Sequence, residues 1–173
     1  GINRRNMISY WGKNFKVALI TPTSINISGA PGAAWDTDTT WPMVTANYLF
    51  KFPPFMLGLY GGYNQYKLGN ITTDQEIDIK SWVYGVRFIF TSGPFTFKVM
   101  AFKAQNPQEY GMSSYNRTGA TNGLGFMNST YGAIYIAASN QLIDGELMGA
   151  TSAVEYKIND MFKIRGGYMG IEG

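Results

Sequence analysis

Over much of this chain apolar and polar side chains alternate one for one. In residues 43–52 the even positions Val44, Ala46, Tyr48, Phe50 and Phe52 are apolar, while the odd positions include Thr45, Asn47 and Lys51. Successive side chains of a strand point to opposite faces, so this pattern predicts a strand with one apolar and one polar face. Other segments repeat it. Phe15, Val17 and Leu19 alternate with Lys16 and Ala18, and Phe55, Leu57, Leu59 and Tyr63 with Met56, Gly58, Tyr60 and Asn64. Trp82, Tyr84, Val86, Phe88 and Phe90 alternate with Ser81, Gly85 and Arg87. Phe95, Phe97, Val99 and Ala101 alternate with Thr96, Lys98 and Met100, and Phe162, Ile164 and Tyr168 with Lys163 and Arg165. A weaker segment, 150–158, sets Val154, Tyr156 and Ile158 against Glu155 and Lys157. Met7–Trp11 reads as the end of a further strand, followed by a turn at Gly12-Lys13.

The connections fall into two classes. Pro53-Pro54, Thr91-Ser92-Gly93-Pro94 and Asn159-Asp160 are tight-turn chemistry. The segments near 22–40, 69–77 and 105–149 are longer and polar. Aromatic residues gather beside the tight turns, at Phe50, Phe52, Phe55, Phe88, Phe90, Phe95, Phe97, Tyr156 and Phe162, with Tyr63, Trp82 and Tyr84 towards the other strand ends. Two aromatic girdles, short turns at one rim and long loops at the other describe an antiparallel transmembrane β-barrel of the outer-membrane type. The expected class is therefore all-β, with short periplasmic turns and long extracellular loops. Residues 130–138 also look like a strand. Counting them as a spanning strand would put the Asn159-Asp160 turn on the long-loop side, so 105–149 is read as one long excursion with local structure of its own, either extracellular or folded into a pore. The whole of 1–173 reads as one domain, expected to be part of a larger barrel with strands beyond both ends.

Composition agrees. The chain is 45% hydrophobic and 16% aromatic but 14% charged, with 21 Gly, 12 Tyr and 11 Phe, against about a quarter charged in ordinary soluble domains. No run approaches the roughly 18 apolar residues of a membrane helix, so a membrane span would have to be a closed barrel. The absence of Cys and His excludes disulfides, thiol nucleophiles, Cys/His zinc sites and Ser-His-Asp triads. No enzyme activity, cofactor or metal is expected. The net charge of +3 does not point to nucleic acid.

With the apolar positions assigned to lipid, the opposite face carries Lys16, Lys51, Arg87, Lys98, Lys157, Lys163 and Arg165, with Glu155 as its one acid. Other acids fall in segments read as loops: Asp36, Asp38, Asp74, Glu76, Asp78, Glu109, Asp144 and Glu146. A basic ring in a watery constriction concentrates anions and repels cations. If the long excursion folds inward, Glu109, Asp144 and Glu146 could face the basic wall. The paired acids of 36–38 and 74–78 lack a complete Ca²⁺ loop motif, and the glycines of 119–125 lack the lysine and strand-loop-helix setting of a phosphate loop.

The stretch Phe15–Thr23, the hairpin Tyr48–Tyr63 and the run Val154–Tyr168 together resemble a Gram-negative outer-membrane general porin, as architecture rather than as a specific motif. That resemblance implies a trimeric, multi-pass barrel of about 16 to 18 strands among outer-membrane lipid and lipopolysaccharide, passing small hydrophilic solutes or anions. It also makes Lys16, Lys51, Arg87, Lys98, Lys163 and Arg165 wall residues. Competing readings are a small plugged barrel acting as anchor or adhesin, with Lys51, Arg87 and Glu155 bridged inside it; an outer-membrane hydrolase; and a soluble carbohydrate-binding β-sandwich.

Overall fold

The computed structural model describes residues 6–21, 35–39, 41–70, 75–107, 134–136 and 141–172. The chain is all-β over these residues, with eleven strands: β1 Met7–Trp11, β2 Phe15–Ile20, β3 Trp35–Asp38, β4 Met43–Phe52, β5 Phe55–Asn70, β6 Gln75–Ser92, β7 Phe95–Gln105, β8 Ile134–Ile136, β9 Gln141–Ile143, β10 Glu146–Lys157 and β11 Lys163–Glu172. Eight of them form one antiparallel path, β1-β2-β4-β5-β6-β7-β10-β11, and β3 pairs with the end of β5. The sheet is open: β1 and β11 are its two edges. The strand predicted within 130–138 is the short β8, which pairs with β9 as a separate two-stranded sheet inside the 105–149 excursion. Among the described residues no helix is long and apolar enough to cross a membrane.

Four tight turns share one rim. Gly12 N–H donates to Phe15 O (2.8 Å) between β1 and β2. Pro53-Pro54 joins β4 to β5, and Gly93, at φ +55°, joins β6 to β7. Between β10 and β11, Asn159 Oδ1 accepts from the backbone N–H groups of Met161 (2.9 Å) and Phe162 (2.8 Å), the local bonding for which Asn is favoured in turns.

Register follows the pleat. Residues directly opposite in antiparallel strands share a face, so Tyr48, Leu59, Val86 and Ala101 lie on one side. The next row on the other side is Asn47, Tyr60, Gly85, Phe102 and Gly149. Burial is inverted relative to a water-soluble sheet. Phe50, Phe52, Phe55, Leu59, Val86, Phe95, Phe97, Val154 and Tyr156, all on the apolar face, are exposed, with Leu59 at 45% and Val86 at 38%. The buried Ala18, Val83, Ala104 and Leu147 lie on the opposite face.

The 69–77 segment is not a long loop. Strands β5 and β6 pair on as far as Asn70 and Gln75. The sequence hides this because the alternation changes phase at Tyr63-Asn64. Beyond that point Gln65, Lys67, Glu76, Asp78 and Lys80 occupy the formerly apolar face, while Tyr66, Leu68 and Ile79 form a buried cluster on the other. Glu76 and Asp78, expected in a loop, are thus strand residues. Leu142 of β9 packs against that cluster, which brings β9 onto the face opposite the exposed apolar one.

Candidate functional site

The face opposite the exposed apolar side chains is the place to look for chemistry, because all eight charged residues expected there lie on it. The register carries the assignment strand by strand. Lys16 is opposite Asn47; Lys51 is opposite Met56; Gly58, two residues on, is opposite Arg87. Ile89 is opposite Lys98, which is opposite Ala153; Glu155 and Lys157, two and four residues beyond Ala153, are opposite Arg165 and Lys163.

These charges form two unlike groups. Near the turn rim, Glu155 is the hub of a cluster. Arg165 donates to its Oε2 from Nε (3.0 Å) and Nη2 (2.6 Å), Lys98 Nζ lies 3.4 Å from the same oxygen, and Lys163 Nζ lies 3.7 Å from Oε1. The Glu155 side chain is only 17% exposed, so the cations largely enclose it. Lys157 is tied to Asp160 in the adjoining turn (2.7 Å). The second group is Lys16, Lys51 and Arg87. Among the described residues none of these three has an ion pair; Lys16 Nζ instead sits 4.0 Å from the centre of the Trp11 ring. The bridge between Glu155 and Lys51 or Arg87 that a plugged interior would use is not among the contacts of Glu155.

Glycine placement lets large side chains lie flat on this face. A Cβ at Gly58 would stand 2.8 Å from Arg87 Nε and 2.9 Å from its Cγ. Directly next to it, Tyr60 lies over Gly85 and blocks any Cβ there. Gly58 faces Arg87, and Tyr60 faces Gly85. The two strands therefore exchange one long side chain each across a glycine. Phe102 covers Gly149 in the same way.

Of the three proposed loop acids, Asp144 and Glu146 fall among the described residues, and neither pairs with the bases of this face. Glu109 lies outside the described residues. Glu146 is the first residue of β10, opposite Gln105 on the apolar-face side, and pairs with Lys103 (3.2 Å). Its place is fixed by strand parity, which a reading of 105–149 as one loop does not reveal. Asp144 accepts from Asn106 Nδ2 at 2.7 Å. Nothing in the sequence marks Asn106, yet it ties the neck of the excursion. Its backbone N–H donates to Gly145 O (2.7 Å), its Oδ1 accepts from Gly145 N–H (2.9 Å), and its Nδ2 also donates to Lys80 O (2.9 Å). It is 2% exposed with φ +48°, a left-handed conformation that Asn tolerates better than most residues.

At the rim opposite the turns, two aromatic side chains of the apolar face bond to glutamines, one across to the next strand and one two residues along its own. Trp82 Nε1 donates to Gln105 Oε1 (2.9 Å) and Tyr63 O–H to Gln65 Oε1 (2.8 Å); Trp82 also stacks on Tyr84 with ring centres 5.3 Å apart. Beyond it Lys67 Nζ donates to Glu76 Oε2 at 2.8 Å, and this bond holds the Lys67 ammonium above its ordinary pKa, with the Glu76 charge and then the Asp78 charge adding to it. No cluster of three or more His, Cys, Asp or Glu suited to a metal occurs among the described residues. No known family model matches the chain, and neither a curated protein nor a solved structure matches it.

Proposed function

We propose that this chain forms the wall of a transmembrane β-barrel of the outer-membrane, porin kind. On this reading the barrel is a water-filled channel for passive diffusion of small hydrophilic solutes, preferring anions. The observation that carries it is the inverted sheet: an exposed apolar face bounded by two aromatic rows, with seven cations on the other side. A soluble monomer rarely leaves so continuous an apolar surface uncovered. From Phe55 to Tyr63 is eight residue steps on β5, roughly 26 Å at about 3.3 Å each along the strand. With the usual tilt and the ring lengths at either end, that approaches the roughly 25 Å apolar band of outer-membrane barrels.

The change of phase at Tyr63-Asn64 supports the same boundary. Past it, charges occupy the outward side and apolar residues the inward side, as expected where strands leave lipid for water. Lys67, Glu76, Asp78, Lys80, Lys103 and Glu146 would then meet the polar headgroups and lipopolysaccharide of the outer leaflet. Packing of Leu142 on the Tyr66, Leu68 and Ile79 cluster puts β9 on the channel side of the wall on this reading, where it would narrow the bore. Assembly as a homotrimer belongs to this reading through the porin resemblance.

The test is planar-bilayer recording with native, full-length protein purified in detergent, under a KCl gradient. Steady conductance with a reversal potential displaced towards chloride is the expected result. Conductance displaced towards potassium would keep the channel and discard the anion preference. Silence from protein shown to be folded and inserted would overturn the channel in favour of a plugged barrel.

A further inference from the structure

Equal formal charges on this face are not in equivalent surroundings, and that difference assigns the anion site. This inference rests on the channel reading and deepens it. Three cations of the turn-side cluster share Glu155, and Lys157 has Asp160. Each of those bases meets a permeating ion with a carboxylate already beside it. One carboxylate offsets only one of the three charges it meets, but it takes up donors of all three cations, so less of each is left for a permeating ion.

Arg87 and Lys51 differ. Arg87 starts on β6 and lies across Gly58 of β5, directed towards β4, the strand that carries Lys51. Lys51 faces Met56, two residues from Gly58. The two cations therefore flank one small patch of wall, Met56 to Gly58, without a carboxylate among the described residues. Tyr60, lying over Gly85 beside Arg87, brings a phenol to the edge of the patch. A guanidinium, an ammonium and a phenol offer only hydrogen-bond donors and positive charge, apart from the phenol oxygen. That is a surface for a small anion, chloride or a carboxylate.

We infer that Arg87 and Lys51 form the contact site for permeating anions, and that Glu155 is a positioning residue that pins Lys98, Lys163 and Arg165 to the wall and offsets one of their three charges. The experiment compares single-charge removals in the full-length protein by reversal potential under a KCl gradient. Arg87→Gln and Lys51→Gln are each expected to lower the chloride-to-potassium permeability ratio by about threefold or more, because their donors and charge meet the ion with no carboxylate beside them. Arg165→Gln and Lys98→Gln are expected to change it less than either. Glu155→Gln, which releases three cations, should raise the ratio. Arg87→Lys keeps the charge and should keep the selectivity. Lys51→Gln leaves the Arg87–Gly58 contact untouched, so it reads the same site should Arg87→Gln fold poorly. Equal shifts from Lys51→Gln, Arg87→Gln and Arg165→Gln would overturn the inference, because the face would then act as pooled charge. A larger shift from Arg165→Gln would overturn it too. Absence of conductance in the unmutated protein would instead sink the channel itself, so the two failures are separable.

Discussion

Arginine in place of Leu59 or Val86 should destabilise the lipid-inserted protein by about 2–4 kcal/mol, the usual cost of a cationic side chain near the midplane on the outer face of a barrel. The two residues sit opposite each other, Leu59 midway along the Phe55–Tyr63 stretch, on the apolar face, and both are exposed. That exposure gives the experiment its force. In a water-soluble sheet an exposed Leu or Val tolerates a charged replacement within about 0.5 kcal/mol. Only a surrounding hydrocarbon phase makes the same change costly. The check is chemical denaturation of protein folded into lipid vesicles, with Thr151→Arg as the control. Thr151 lies on the opposite face, beside Met100 and Met169, where a cation would remain in water. A large loss for Leu59→Arg and Val86→Arg with a small one for Thr151→Arg is the expected pattern. Small losses at all three would mean the apolar face does not meet lipid.

Asn106→Ala is expected to cost about 3–5 kcal/mol. The substitution removes the side-chain bonds to Gly145, Lys80 and Asp144. It strands polar groups beside a buried side chain, at about 1–3 kcal/mol for each group left without water. It also places a Cβ-bearing residue with no compensating side-chain bond at φ +48°, which adds about 1 kcal/mol. Asn106→Gly relieves that backbone strain but not the lost bonds, so it should fall between wild type and Asn106→Ala. The readout is the denaturation midpoint, accompanied by protease sensitivity of the excursion that Asn106 ties at its base. A change below about 0.5 kcal/mol for Asn106→Ala would show that the neck is held by other contacts.

The strands of the main path were legible because their apolar residues keep one phase from the turn rim upward, as in Phe55, Leu57, Leu59 and Tyr63. The outer halves of β5 and β6 were not. There the same strand reverses which parity is apolar, so Tyr66, Leu68 and Ile79 read as isolated residues in a polar stretch. Strand β3 is too short to carry a pattern, and Glu146 could be placed only once β10 was seen to begin there. The eight charges of the basic face followed from parity alone. Their partners did not, because which base meets Glu155 depends on the register of β10 with β7 and β11, which turn geometry helps to set. The role of Asn106 needs two chain segments, at 80 and at 144–145, that only the fold brings together.

The reciprocal glycines bear on how wide the proposed channel can be. Where Arg87, Tyr60 and Phe102 each lie down over a glycine, the wall there is little thicker than backbone plus one flattened side chain. Bore would then be governed by backbone curvature and would depend little on how far these long residues reach. A methyl group at Gly58, which would meet only the Arg87 side chain, would tip that side chain upright, and ionic current would register the change as a discrete step, much as a valve seat raised by a shim throttles flow without altering the pipe.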